Sequence, residues 1–342
     1  MSELYLHIGL PKTGSTAIQE FLWLNRDRLE DAGWRYPSFL RGKNHLELVV
    51  LAAKEDWLLH RRFARVSTAE ELTQWRTRVE EEIAAQTTDG SNWVMSSEHL
   101  ASYLTSPAVI ETLRSHLEHF DSIRPVMWVR PQDQVAVASH STWVRDGNPS
   151  RFDMESHVKN ALRYDYHRMV LRWDRVFGEE SVEVRLYPGS TLIDELAQSL
   201  GLGDVGGWDH PDPANVSLTN VEVELLRQMN ERVPRWSDGG PRSNHGDFRD
   251  LVRGSGRGER LRASDSDRRR ILEQFHAENQ WILQRAVNSA GREDFFDPPA
   301  GDDPGNIDIE PDADAALDLA AVLWRKAGQL RQRSDRKNAP SE

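Results

Sequence analysis

The chain has 342 residues, 38% hydrophobic and 29% charged, with a formal net charge of −12 and no cysteine. This is a globular balance. It excludes disulfides, thiolate metal sites and cysteine nucleophiles, and the acidic balance argues against general nucleic-acid binding, which needs a basic footprint. No apolar run approaches the ~20 residues that span a bilayer, and the opening Met-Ser-Glu-Leu-Tyr-Leu-His has neither the basic nor the apolar region of a signal peptide. The expectation is a cytoplasmic protein without stable membrane insertion, beginning directly on a strand. Residues 4–9 (Leu-Tyr-Leu-His-Ile-Gly) read as that strand, a short apolar run ending in glycine. Ala17, Ile18, Phe21, Leu22 and Leu24 then repeat at helical spacing and predict a helix over 15–28.

Three further buried strands are predicted at 92–96, 124–129 and 182–187, with helical patterns at 69–85, 107–120, 132–144 and 156–177. Short strands alternating with helices predict an α/β fold, a parallel sheet covered on both faces as a three-layer domain. After residue 190 the strand signals fade, and residues 219–232 and 264–290 read as helical. The Gly/Ser/Arg-rich stretch 237–260 reads as a loop. Residues 301–316 carry six acidic residues with Pro and Gly and read as a solvated linker. A last helix is predicted over 313–332, with Leu319, Val322, Leu323 and Leu330 on one side; it offers a surface for oligomer formation. The expected organisation is one domain over 1–300, with a ligand-binding core at 1–190 and a helical part at 191–300, then linker and helix over 301–342. Twelve tryptophans suit either core packing or a stacking surface in a cleft.

The segment Gly9-Leu-Pro-Lys-Thr-Gly14-Ser15-Thr16 has the spacing of a phosphate-binding loop. Backbone amides of such a loop at a helix N-terminus converge on an anion, and the helix dipole favours negative charge. Any anionic ligand must be held by such a local site, against the field of an acidic chain. Gly14 allows close backbone approach, Ser15 and Thr16 carry hydroxyl donors, and Lys12 supplies a point charge. A nucleoside-triphosphate loop places lysine where Ser15 stands, followed by the hydroxyl that binds magnesium; here the lysine lies inside the loop instead. The alternative reading is a plain strand-to-helix turn.

Pro11-Lys12-Thr13-Gly14-Ser15-Thr16 resembles the 5′-phosphosulfate loop of sulfotransferases that use 3′-phosphoadenosine 5′-phosphosulfate (PAPS), and Leu6-His7-Ile8-Gly9-Leu10-Pro11-Lys12 is similar to the bacterial branch of that family. The resemblance implies a sulfotransferase-like fold related to P-loop NTPases. It implies transfer of a sulfuryl group from PAPS to a hydroxyl or amine of an acceptor, such as a carbohydrate or lipid headgroup. Adenosine 3′,5′-bisphosphate would be the second product, and no metal is expected. Val126-Met-Trp-Val-Arg130 is a strand ending in arginine, a residue whose fork suits phosphate. It resembles the family's 3′-phosphate site. There a serine follows eight residues on; here that position is Ala138, and Ser139 or Ser141 would serve. Arg253, in Arg253-Gly-Ser-Gly-Arg257-Gly, is a further candidate to close over that phosphate, or part of a plain basic loop. Tyr164-Asp-Tyr166, Arg172-Trp173 and Val184-Arg185-Leu-Tyr187 also look like the family and read as fold signature.

A general base must reach the acceptor hydroxyl, and ligands bind outside the carboxyl ends of strands in open α/β sheets. Ser97-Glu98-His99-Leu100, just past the strand at 92–96, supplies two candidates: Glu98 as base and His99 as support or alternative. His45, in Lys-Asn-His-Leu, is a third. The structural alternative for this segment is a helix start capped by Ser96 or Ser97. Two rivals to the sulfotransferase reading remain: a kinase using ATP and magnesium, and a non-catalytic nucleotide-binding member of the fold.

Overall fold

The computed structural model describes residues 2–38, 42–53, 64–87, 90–159, 161–211, 217–234, 236–237, 240–241, 258–310, 313–314, 316–318 and 320–321. The described residues form two compact units that interleave along the chain. The first comprises residues 1–131, 160–214 and 275–297, the second 132–159, 215–274 and 298–342.

The first unit is built on a five-stranded sheet. Its strands are β1 (Glu3–Gly9), β2 (Trp34–Arg35), β3 (Asn92–Ser96), β4 (Ser122–Val129) and β5 (Glu183–Leu186). The order is β2-β3-β1-β4-β5 and every pairing is parallel. This is the predicted α/β architecture, and the strand residues explain it. Parallel strands covered on both faces read as continuous apolar runs, and β1 is buried from Leu4 onward.

Successive side chains point to opposite faces. Leu4, Leu6 and Ile8 join one core with Trp93, Met95, Met127 and Val129, whereas Tyr5 joins a second with Val94, Val126 and Trp128. Helices α1 (Ser15–Leu24), α2 (Arg26–Asp31) and α10 (Leu192–Ser199) seal the second core. The first is covered by α3 (Glu47–Ala52), α4 (Ala69–Gln86), α5 (Leu100–Tyr103), α6 (Pro107–Ser115), α9 (Tyr166–Phe177) and α13 (His276–Arg285). Each fully buried leucine or valine here contributes about 1.5–3 kcal/mol of transfer free energy, so the alternate assignment of β1, β3 and β4 side chains to the two cores fixes their register.

Helix boundaries depart from the periodicity where caps intervene. The helix expected over 15–28 breaks at Asn25, whose backbone leaves helical geometry (φ −107°, ψ 26°). Its Nδ2 donates to the carbonyls of Phe21 and Asp209, each at 2.8 Å. The pattern over 156–177 divides because Asp165 caps α9, accepting from the Arg168 amide at 2.9 Å. The pattern over 264–290 divides at Phe275, and the one from 107 stops at Ser115. Elements that carried no sequence signal include the two-residue β2, the six-residue α3, and α10 beyond residue 190, and Gly240–Pro241, within the stretch read as a loop, is a short strand paired with Trp236–Ser237.

The second unit holds α7 (Gln132–Arg145), α8 (Met154–Lys159), α11 (Asn220–Arg232), a hairpin of β6 (Trp236–Ser237) and β7 (Gly240–Pro241), and α12 (Asp265–Gln274). Thr219 and Glu222 form a reciprocal capping box at the start of α11. The buried Arg227 guanidinium meets Glu224 through two 2.7 Å bonds, and Arg268 reaches Asp133 at 2.8 Å. The described residues at 313–314, 316–318 and 320–321 are helical. Leu319, Val322, Leu323 and Leu330, the proposed apolar side of the last helix, lie outside the described residues, as does most of 237–260. Among the described residues no helix is long and apolar enough to cross a membrane.

Candidate anion-binding and active site

The carboxyl ends of β1, β3 and β4 point one way because the strands are parallel, and three predicted segments therefore emerge side by side. The loop follows β1, the Glu98–His99 turn follows β3, and Arg130 follows β4.

The loop is tied from inside. The Leu10 amide donates to the Trp128 carbonyl at 3.2 Å. The Leu10 carbonyl accepts from the hydroxyls of Thr13, at 2.6 Å, and Ser15, at 3.0 Å. Thr13 and Ser15 are buried, while Thr16 is exposed and Pro11, Lys12 and Gly14 are partly exposed. The two buried hydroxyls thus curl the loop about Leu10. Gly14 enters α1 from the left-handed region (φ 82°), which glycine alone adopts without steric penalty. A Cβ there would also lie 2.3 Å from Leu192 Cδ2 and 3.2 Å from Tyr187 Cε2. The first intrahelical bond of α1 runs from the Ile18 amide to the Gly14 carbonyl. The Ser15, Thr16 and Ala17 amides precede it and have no acceptor within the helix. Three orphan amides at the positive end of a helix dipole fit an anion.

Lys12 stands at the turn of the loop in left-handed geometry (φ 71°), a conformation costing a non-glycine residue roughly 1–2 kcal/mol. The Arg130 Nη1 donates to the Lys12 carbonyl at 3.1 Å and thereby holds it. Arg130 lies 5.3 Å from the Tyr187 ring centroid, and its own carbonyl accepts from Tyr166 Oη at 2.7 Å. Two tyrosines read from sequence as fold signature therefore secure this arginine beside the loop.

Glu98 and His99 sit on a turn before α5. Their side chains do not diverge, as adjacency on a helix would dictate: His99 Nε2 is 3.8 Å from Glu98 Oε1, and the two are about equally exposed, 29% and 24%. The Glu98 carboxyl is raised above its usual range, because burial penalises its charged form more than the Lys12 ammonium and the Ser15 hydroxyl favour it. That combination, a half-desolvated carboxylate facing a lysine, suits a base that must hold a proton transiently. Gly9 makes the approach close: a Cβ on it would stand 3.0 Å from the Glu98 carbonyl oxygen. Neither serine caps the helix. Ser96 Oγ is engaged with His7 and Gln19 instead, and α5 begins without a side-chain cap.

His45 is fully buried (0% exposed), and its Nδ1 accepts from the Ser96 amide at 3.1 Å. Burial lowers its pKa to about 3. It is thus removed from any acceptor and already bonded at one nitrogen. Ser139 lies in the second unit, fully buried on α7, and Ser141 is partly exposed on the same helix. Arg253 lies outside the described residues. Lys12, Glu98, His99 and Arg130 are thus the predicted residues that the first unit brings together. His7 and Ser96 were missed as polar members of the site's foundation. The signal available was a histidine within an otherwise apolar strand.

No protein-family model matches the chain, and no curated protein does. Among solved structures, a sulfotransferase from Alicyclobacillus acidocaldarius matches over 66% of this chain and 91% of its own length, at 15% identity and a TM-score of 0.38. That degree of likeness bears on neither the site nor the reaction.

Proposed function

We propose that the protein is a PAPS-dependent sulfotransferase acting on a hydroxyl or amine of an acceptor. One juxtaposition carries the reading: a partly desolvated carboxylate, Glu98, facing a lysine, Lys12, that stands inside an anion-binding loop. The three orphan amides of α1 and Lys12 would hold the 5′-phosphosulfate, and Arg130 the 3′-phosphate. Glu98, with His99 as support or alternative, takes the acceptor proton as the new oxygen–sulfur or nitrogen–sulfur bond forms and the bond between sulfur and the 5′-phosphate oxygen breaks. Lys12 and the loop amides balance the charge that grows on the leaving phosphate, the preorganised electrostatics on which such transfers depend most.

Calorimetry with adenosine 3′,5′-bisphosphate in EDTA, followed by an acceptor screen with PAPS read by mass, tests the assignment. Binding without metal that exceeds ATP binding, together with a sulfuryl adduct, is expected. Binding that requires magnesium and prefers ATP assigns the loop to phosphoryl transfer. Binding without turnover on any acceptor favours a non-catalytic role.

A further inference from the structure

Behind the loop, buried polar side chains from β1, α1 and the segment after β2 gather around one serine at the end of β3. Ser96, His7 and His45 are fully buried, and Gln19 and Tyr36 nearly so. Every polar atom of Ser96 is bonded. Its amide donates to His45 Nδ1 at 3.1 Å, and its carbonyl accepts from the His45 amide at 2.9 Å. Its Oγ lies 2.7 Å from His7 Nδ1 and accepts from Gln19 Nε2 at 3.2 Å. The Tyr36 ring packs on the His45 ring with centroids 4.6 Å apart. Buried polar groups are retained at a cost unless each is bonded; Ser96 meets that condition, whereas Nε2 of His7 and Nε2 of His45 are buried without a hydrogen-bond partner among the described residues.

The network ends at the site. Ser97, the next residue, donates its amide to the His7 carbonyl at 3.0 Å. Glu98 follows, its backbone pressed against Gly9. His45 bonds Ser96 with both its backbone and its imidazole, so the carboxyl end of β3 is gripped two residues before the carboxylate. The Nδ1 accepts a hydrogen bond, so the ring is neutral with its proton on Nε2; a second proton would sever the grip.

We propose that His45, acting through Ser96, is a positioning residue that fixes the Glu98 turn against Lys12 and Ser15, and that it exchanges no proton with substrate. This rests on the reading of Glu98 as base. It also reassigns the third base candidate: His45 serves the site through a hydrogen bond, not through its basicity.

His45→Phe keeps a ring against Tyr36 and removes the acceptor, whereas His45→Asn keeps an acceptor near Nδ1. For His45→Phe, kcat falls about 10- to 100-fold, the scale of a small misplacement of a catalytic group. Affinity for adenosine 3′,5′-bisphosphate stays within about twofold, since the loop is untouched. His45→Asn recovers most of the loss. The acid limb of kcat/KM moves to lower pH in the Phe variant, because a loosened Glu98 gains water; the groups that face it, Lys12, Ser15 and His99, are unchanged. Wild-type kcat with an unmoved acid limb in His45→Phe overturns the proposal, as does an equal loss of donor affinity. Amide hydrogen exchange at Ser97–Leu100 in the full chain supplies a readout independent of turnover. Faster exchange confined to that segment in His45→Phe supports the grip, and unchanged exchange refutes it. His45→Leu, which likewise lacks the Nδ1 acceptor that the Ser96 amide uses, gives the same reading if the Phe variant does not fold. A wild-type chain that binds no adenosine 3′,5′-bisphosphate sinks the proposed function, while the exchange measurement still decides the grip.

Discussion

Among the described residues of the first unit, the buried imidazoles of His7 and His45 should make it acid-labile, and the magnitude follows from their environment. Burial lowers the pKa of His7 to about 4 and that of His45 to about 3, against 6.5 in water. Both are lowered, so the unfolded chain binds protons more tightly than the folded one. Their contribution to stability is complete above pH ~6.5 and declines as the pH falls toward each folded-state value. A tenfold difference in proton affinity between the two states is worth ~1.4 kcal/mol, so the full losses are ~3 kcal/mol for His7 and ~5 kcal/mol for His45. At pH 5, where both unfolded imidazoles are charged and both folded ones still neutral, each forfeits ~2 kcal/mol. The pair then removes ~4 kcal/mol from a total stability of ordinarily 5–15 kcal/mol. The assay is urea unfolding of the full chain between pH 5 and 8, in the wild type, His45→Asn and His7→Gln. His140, lowered to about 4 in the second unit, is common to all three proteins and cancels in the comparison. Each variant should lose one proton's worth of slope, ~1.4 kcal/mol for each pH step between pH 5 and 6, whatever its absolute stability. Slopes identical to wild type in both variants would refute the argument.

Three further outcomes follow from the site. Lys12→Ala should lower kcat by about 10²–10³, the usual loss for one donor acting on transition-state charge, with an unchanged unfolding midpoint; near-native kcat removes the lysine from the chemistry. Arg130→Ala should narrow the preference for adenosine 3′,5′-bisphosphate over adenosine 5′-monophosphate, since each charge-assisted bond is worth about 1.5–3 kcal/mol. Arg130 also bonds the Lys12 carbonyl, so some loss in kcat accompanies it, and calorimetry with both nucleotides separates the two effects. Glu98→Gln should cut kcat by ~10²–10⁴ while raising the unfolding midpoint at neutral pH. The sign follows from a carboxyl pKa raised in the folded state: above its usual range the ionised group opposes folding, and below that range the stability gain disappears. A midpoint that falls at pH 7 contradicts the burial argument.

How far the sequence foretold this arrangement depends on the range of the interaction concerned. The strands at β1, β3, β4 and β5 and the loop at 9–16 are local patterns, and each could be read within a dozen residues. Their parallel pairing follows from alternation with helices. The meeting of Lys12, Glu98 and Arg130 then follows too, because parallel strands deliver their carboxyl ends to one edge. What stayed illegible rests on contacts between residues far apart in the chain. His7 and Ser96 are 89 positions apart, and Ser96 and His45 are 51 apart. Nothing local distinguishes a histidine that accepts an amide proton in the core from one exposed on a loop. The same limit hid β2, which exists only as two residues paired to the start of β3.

Lys12 joins the two kinds of information. Its position in the loop was legible, but its left-handed backbone was not, because lysine has no preference for φ 71°. Strain of this kind persists only where surrounding structure over-determines it. Here the constraints are visible: Leu10 is bonded to β4 on one side and to the Thr13 and Ser15 hydroxyls on the other, and Arg130 holds the Lys12 carbonyl. A nucleoside-triphosphate loop places its lysine on the first helical turn, where helical backbone costs nothing extra. Moving the lysine back into the loop requires that strained geometry and the arginine that sustains it. The displaced lysine, the strand-end arginine and the glycine at position 14 are therefore parts of one solution, in which backbone strain on Lys12 is held by the residue proposed to bind the ligand's second phosphate.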